Sequence, residues 1–261
     1  MIDKAIILAA GMGKRLGGAI PKPLLPLDEA GTTFLDWHLR ALAMHGCRDV
    51  TIVGSPVTVA AKTVLPARWI LNDFPGELSG SGHSAHLAFP HVLDGRSRVV
   101  LMDADVVYDP LLFGELARAP STRSKTLVCG AYRDTAEEVM VFADERGVPR
   151  LHGKGLLGTP LVSGLRPLGE ATGILMLEPD DHEAWLAASS WCMQYATART
   201  RSEHEDITQR LFTAGLLRSV VFSDGRRFME CDTPEEYAVV RNQMAPRWSR
   251  ALAVKQIEAT L

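Results

Sequence analysis

No stretch of this 261-residue chain holds the ~18 consecutive apolar residues that a membrane-spanning helix needs, so no membrane partner is expected. Basic residues are not in excess: 28 Lys and Arg stand against 31 Asp and Glu, a formal net charge of −3. Bulk nucleic-acid binding shows as surplus positive charge, so no nucleic-acid partner is expected and any anion site has to be local. Cysteine is scarce. Cys47, Cys129, Cys192 and Cys231 lie far apart with no CxxC pair, which argues against a disulfide framework or a zinc knuckle and for the reducing cytoplasm. Repeats and low-complexity linkers are lacking as well. The opening "MIDKAIILAAG" is too short in its apolar part to be a secretory signal and carries Asp3 ahead of it; it reads as a first strand.

What is present is an alternation. Residues 5–10, "AIILAA", form a continuous apolar run of the kind found in a buried parallel strand. "FLDWHLRALAMHG" follows as a helix, with Leu35, Leu39 and Leu42 on one face and Gly46 beyond its end. Further strands are predicted at 49–54, 68–72, 98–105 and 126–131, with a helix opening at "GHSAHLAF". This rhythm predicts a sheet covered by helices on both faces. After about residue 137 it changes. A strand pair is predicted around Glu145-Arg146-Gly147, then a strand at "GEATGILML", a helix at "HEDITQRLFTAG" and a late strand at "RRFMECD". A last helix starts with Thr233 as N-cap, Pro234 at N1 and Glu236 closing a capping box. The expected organisation is one domain over residues 1–245, with an embedded insertion at about 138–200 that contributes to a substrate site, and a helical tail over 246–261.

The stretch "LAAGMGKRLGGAIPKPLLPL" places a glycine-rich loop directly after the first strand, with Lys14, Arg15 and Lys22 close by. Backbone N–H groups at such a strand end can cradle phosphate oxygens. Two phosphate loops fail on spacing. In G-x-G-x-x-G, Leu16 stands where the third glycine belongs, and no G-x-x-x-x-G-K-[ST] is present. A nicotinamide oxidoreductase is disfavoured for the same reason. Later, "LMDADVVY" ends a strand in Asp103 and Asp105, which point to the same side at spacing two. Strand ends of this kind bind ligands in open α/β sheets, and magnesium is held by a few carboxylates with phosphates and waters.

The string Gly11-Met12-Gly13-Lys14-Arg15-Leu16, then Pro21-Lys22-Pro23-Leu24-Leu25-Pro26-Leu27, resembles the N-terminal signature of the nucleoside-triphosphate-dependent nucleotidyltransferases. "MECDTPEEY" is similar to that family's E-x-D-T-P-E-D segment. The resemblance covers roughly residues 4 to 240. It implies an α/β, Rossmann-like, doubly wound fold whose mostly parallel (mixed) sheet has helices on both faces and a small substrate-binding insertion. It implies that Leu8, Ala9, Ala10, Gly11, Met12 and Gly13 bind nucleotide and that Arg15 and Lys22 lie against its phosphates as catalytic cations. It maps the Mg²⁺ ligands onto Asp105 and Asp232, with Asp103 on the nucleotide side and a third candidate. Lys14 is assigned no role and is read as facing solvent.

The same resemblance makes "LSGSGHSAHLA" the base-recognition segment, with Gly80, Ser81, Gly82 and Ser84, preceded by Asn72-Asp73 as in the phosphocholine-like cytidylyltransferase branch. That favours CTP, while UTP, dTTP or, in a molybdenum-cofactor-type enzyme, GTP stay open. His83 and His86, at i and i+3 with no third ligand near, are read as surface residues rather than metal ligands. On the acceptor side the resemblance points to Lys154 for a phosphate or phosphonate, to Glu170 in "GEATGI", and to Glu205 and Asp206 for a substrate amine; the two acids are equally placed to serve the helix N-terminus. Trp185, Trp191 and Tyr195 could cage a quaternary amine but are read as core or rim. The reading is a cytoplasmic, Mg²⁺-dependent cytidylyltransferase. It would move CMP from CTP to a small phosphorylated or phosphonate substrate such as phosphocholine, 2-aminoethylphosphonate or inositol phosphate. It allows a homodimer. A catalytically silent nucleotide-binding regulator is the alternative of another class.

Overall fold

Strand alternation sets the centre of the molecule. In β1 (Lys4–Ala9) the side chains of Ala5, Ile7 and Ala9 enter one apolar cluster and those of Ile6 and Leu8 the other. All are buried, so the strand is covered on both faces. The computed structural model of the chain describes residues 1–11, 20–74, 79–132, 138–195 and 202–249. Among these, β1 pairs in parallel with β2 (Asp49–Gly54) on one side and β4 (Val99–Asp103) on the other, and β3 (Arg68–Leu71) extends the sheet beyond β2.

The sheet order is β10-β6-β9-β4-β1-β2-β3. β6 is Ser124–Cys129, β9 is Arg166–Leu177 and β10 is Leu217–Phe222. β9 runs antiparallel to both its neighbours, β4 and β6, while β10 is parallel to β6. A hairpin, β7 (Val139–Ala143) and β8 (Pro149–Lys154), joins β9 through β7, and Gly147 takes φ +77° in the turn. The result is the mostly parallel, mixed α/β sheet that the sequence implies.

Helices cover the two faces. On one side lie α1 (Phe34–Met44), α3 (Leu112–Arg118) and the last helical stretch, with Trp37 packed near Trp248. On the other lie α2 (Ser81–Val92), α4 (His182–Tyr195) and α5 (His204–Thr213). α6 (Pro234–Val239) opens as its sequence predicts: Thr233 Oγ1 accepts the Glu236 N–H at 3.2 Å and Glu236 Oε2 accepts the Thr233 N–H at 3.0 Å. Among the described residues, no helix is long and apolar enough to cross a membrane.

Four elements do not follow from the sequence reading: α3, α4, β10 and the short strand β5 (Val106–Tyr108), which follows a predicted strand that ends at Asp103 rather than Asp105. α3 is a short helix of seven residues. α4 buries His182, Trp185, Ala188, Ser189 and Cys192, a face whose polar and small members leave no apolar stripe to read. β10 is an edge strand, half-exposed through most of its length.

Candidate active site

The short pairing of β5 (Val106–Tyr108) with β11 (Phe228–Glu230) brings together acids far apart in sequence. Val106 is the register partner of Glu230, and the Cys231 N–H donates to the Asp105 carbonyl at 3.0 Å. Asp232 follows directly. Its N–H donates to Glu236 Oε2 at 2.9 Å, so the capping box of α6 also fixes this acid. Carboxylate oxygens of Asp105, Glu230 and Asp232 lie within 4.8 Å of one another. Lys22 enters between them from a single helical turn, Lys22–Leu24, stiffened by Pro21 and Pro23. Lys22 is buried, at 7% exposure, and its ammonium pairs with Asp105 Oδ2 at 3.2 Å and with Asp232.

The electrostatics follow from that crowding. Burial, then the neighbouring Asp105 and Asp232, pushes the Glu230 carboxyl up to about 8. Burial alone would lower Lys22, but Asp105 and Asp232 outweigh it and raise its affinity for a proton. The cluster is an all-oxygen site carrying more negative charge than one ammonium offsets. A hard divalent cation suits both features.

Asp103, at the end of β4, sits beside a second charged group. Its Oδ2 lies 3.7 Å from His204 Nε2 at the start of α5. His204 is buried; its desolvation lowers its basicity, yet Asp103 and Glu205 prevail and hold it up at about 10. Glu205, 3.1 Å from His204 Nδ1, is conversely kept ionised, down to about 2 against the effect of its own burial. Gly173, at φ +69°, backs Asp103, because a Cβ there would collide with the Asp103 carboxylate.

Asp103 and Glu205 line one cleft of about 1240 Å³ at the carboxyl edge of the parallel strands. Part of its lining comes from the end of β1, the turn after β3 and the start of α2: Leu8, Ala10, Gly11, Asn72, Phe74, Ser79, Gly80, Ser81 and Ser84. Another part comes from β8 and the start of α5: His152, Lys154, Glu203, Glu205, Asp206 and Gln209. Lys22, Asp105, Glu230 and Asp232 border the same cleft.

The sequence profile of the MobA-like NTP transferase domain matches residues 5–172. The chain belongs to that family. It is 31% identical over 179 residues to the bifunctional protein GlmU of Aromatoleum aromaticum, covering 60% of this chain and 38% of that protein. It is 32% identical over 127 residues to the CMP-5'-(3-aminopropyl)phosphonate synthase of Streptomyces rubellomurinus, covering 45% of this chain and 19% of that protein. The chain thus spans well under half the length of these two curated relatives. The inositol-1-phosphate CTP transferase structure from T. maritima superposes with a TM-score of 0.70 at 17% identity, covering 94% of this chain and 96% of that one. That likeness is one of fold.

Within this NTP transferase fold, the residues singled out from sequence separate into three groups. Leu8, Ala10, Gly11, Lys22, Asn72, Gly80, Ser81, Ser84, Asp103, Asp105, Lys154, Glu205, Asp206 and Asp232 line the cleft. Ala9, Gly82 and Glu170 do not. Ala9 turns into the core under α1; Gly82 is packed against Ser202 and Glu203; Glu170 stands in β9 opposite Cys129 and Met140. Met12, Gly13, Lys14 and Arg15 lie outside the described residues.

The local geometry also changes what some residues are free to do. Asn72 is buried, and its amide donates to Ser79 Oγ and Ser84 Oγ at 2.9 Å while its oxygen accepts the Phe74 N–H at 3.2 Å. All its hydrogen-bonding capacity but one lone pair is spent on shaping the turn. Asp206 Oδ2 accepts the Glu203 N–H at 2.9 Å, closing its own helix. His83 packs edge-on against Phe74, and His86 Nδ1 sits 3.2 Å from Ser189 Oγ. Trp185 is core and donates to Ser124 Oγ; Trp191 already carries the Arg210 guanidinium 3.6 Å above its ring. Neither tryptophan lines the cleft, so the core-or-rim reading of these aromatics holds.

Sequence reasoning missed Glu230, Glu203, His204 and His152. For Glu230 a signal existed, because "MECD" places two acids at i and i+2, on one side of a strand.

Proposed function

We propose that the chain is a Mg²⁺-dependent cytidylyltransferase that moves CMP from CTP to a small acceptor bearing a phosphate or phosphonate. The carrying observation is the convergence of Asp105, Glu230, Asp232 and Lys22 at the centre of the cleft. An acceptor oxygen attacks the α-phosphorus of CTP and forms the new O–P bond. The bond from the α-phosphorus to the bridging oxygen breaks, and pyrophosphate leaves with the electron pair. Phosphate monoesters are largely dianionic at neutral pH, their second pKa being about 6, so no residue has to remove a proton from the nucleophile.

Asp105, Glu230 and Asp232 would hold the metal; three hard oxygen donors with unrelieved negative charge fit Mg²⁺. Bound there, Mg²⁺ would supply charge neutralisation at phosphate oxygens. Lys22 meets the charge that develops as pyrophosphate departs, with its direction fixed by Pro21 and Pro23. Arg15 is assigned the same task by the motif. The part of the cleft around Asn72, Ser79 and Gly80 takes the nucleoside, and Lys154 takes the acid group of the acceptor. Glu205 and Asp206 then face the far end of the acceptor, where an amine fits their charge. Catalysis is positioning plus charge stabilisation. The phosphonate cytidylyl relative and the CTP-transferase neighbour support CTP over other nucleotides.

The test is pyrophosphate release with CTP, UTP, dTTP, GTP or ATP, Mg²⁺ and a panel of phosphocholine, 2-aminoethylphosphonate, inositol 1-phosphate and glucose 1-phosphate. Release with CTP and one of the first three acceptors is expected. Release with UTP but not CTP overturns the cytidylyl assignment, and no release with any pair overturns the enzymatic reading in favour of a nucleotide-binding regulator.

A further inference from the structure

Two segments of the cleft lining, the starts of α2 and α5, are joined by helix caps that each helix supplies to the other. α2 opens at Gly80, which has no side chain to cap it. The first N–H groups of a helix still need acceptors. The Ser81 N–H finds Glu203 Oε2 at 2.8 Å, and the Gly82 N–H finds the Ser202 carbonyl at 3.0 Å. α5 opens at Glu203, and here the His204 N–H donates to Ser81 Oγ at 2.8 Å. The Ser81 hydroxyl in turn donates to Glu203 Oε2 at 2.8 Å. Each helix start therefore completes the other, across more than 120 residues of sequence.

The backbones meet without any intervening side chain. A Cβ at Gly80 would land on the Ser202 carbonyl oxygen, and one at Gly82 would come within 2.8 Å of the Ser202 and Glu203 carbonyl oxygens. Gly80 and Gly82 thus serve close approach of two chain segments. Gly80, Ser81 and Ser84 of the α2 turn and Glu203, Glu205, Asp206 and Gln209 of α5 line the same cleft; the proposed function gives the first set to the nucleoside and the second to the acceptor. From the same junction His204 reaches Asp103, two residues before Asp105.

We propose that Glu203 is a positioning residue which, through Ser81, makes the nucleoside-side turn and the acceptor-side helix a single unit, so that nucleotide binding orders the acceptor pocket before the acceptor arrives. The proposal rests on the nucleotide reading of the cleft. Any ligand that immobilises the α2 turn lowers the cost of ordering the start of α5, which is positive coupling between the two substrates through a shared structural element.

The experiment is amide hydrogen exchange on the full chain, with and without Mg²⁺ and each of CTP, UTP, dTTP, GTP and ATP, in wild type, Glu203→Ala and Glu203→Gln. In wild type the nucleotide that slows exchange at residues 79–84 should also slow the first amides of α5, 204–207, about ten-fold. Glu203→Ala should keep the response at 79–84 and lose it at 204–207. Glu203→Gln, whose amide oxygen can still accept from Ser81, should restore it. A merely structural role would speed exchange in both states and leave the nucleotide-induced difference in place. Should Glu203→Ala fail to fold, Ser81→Ala removes the hydroxyl half of the junction and the same loss is expected. Protection at 79–84 with no response at 204–207 in wild type, or an undiminished response in the alanine variants, overturns the coupling alone. No protection at 79–84 with any nucleotide overturns the nucleotide reading, and the coupling with it.

Discussion

Asp105 and Asp232 are the residues on which the proposed chemistry turns, and each can be changed without loss of packing. Asp105→Asn or Asp232→Asn should lower turnover by about 10²–10³-fold, the usual effect of removing one group from a charge-stabilising site. Neither should lower the thermal midpoint, because each takes one negative charge out of an acidic cluster. Steady-state kinetics with a thermal melt checks both, and wild-type turnover in either variant refutes its role. Lys22→Met should also cost at least about 10²-fold in turnover while circular dichroism reports an intact fold. Here the melt should drop, since Lys22 is the cation that pairs with two of the three acids. At this scale the sequence was legible where a motif carried the residue. Lys22, Asp105 and Asp232 came from strings with fixed spacing. Glu230 stands in the same string, two residues before Asp232, but its place in the cluster depends on the pairing of β11 with β5, which no local pattern shows. Asn72 was legible as a site residue, but its bonds to Ser79, Ser84 and Phe74 were not, and they leave it little capacity for a base.

Elements place these residues, and two of them make separate predictions. Gly173 in β9 has φ +69° and backs the Asp103 carboxylate. Gly173→Ala should cost more than about 1 kcal/mol, through left-handed backbone strain and displacement of Asp103, and lower activity as well. Denaturant unfolding and kinetics measure the two effects; an unchanged midpoint would contradict the geometry. At the opposite edge of the sheet, buried Glu178 after β9 accepts from Arg98 and from Lys125, a fully buried lysine of β6. Burial alone would raise this carboxyl, but Arg98 and Lys125 hold it below its usual range. A depressed carboxyl stabilises the fold fully above its unfolded value of about 4.3 and progressively less as pH falls below it. Urea midpoints should therefore decline from pH 5 downward. Glu178→Gln should lower stability at pH 7 by about 3 kcal/mol, leaving Lys125 without its carboxylate, and flatten that decline. An unaltered acid slope in the variant would rule the assignment out. Of the elements, α6 was readable to the residue, because Thr233, Pro234 and Glu236 are local signals. The junction of α2 with α5 was not: Ser81 and Glu203 carry no local mark of a partner 122 residues away.

For the whole molecule, the alternation of apolar runs and helical stripes was enough to imply an α/β sheet covered on both faces. The antiparallel insertion of β9 between β4 and β6 was not legible, since strand neighbours are chosen by long-range register that no local pattern encodes. That insertion matters for the cleft. It seats Gly173 behind Asp103 and carries the β7–β8 hairpin whose end is Lys154, so both parts of the cleft lining hang on one sheet. The central claim is that this cleft joins a nucleotide to an acceptor through the α-phosphorus. Its most direct test is to incubate the chain with CTP labelled at the α-phosphate, Mg²⁺, and phosphocholine, 2-aminoethylphosphonate or inositol 1-phosphate, and to follow the label. Label in a CMP–acceptor conjugate, absent with Asp105→Asn, is the predicted result. Label that stays in CTP with every acceptor, or appears only as free CMP, would contradict it.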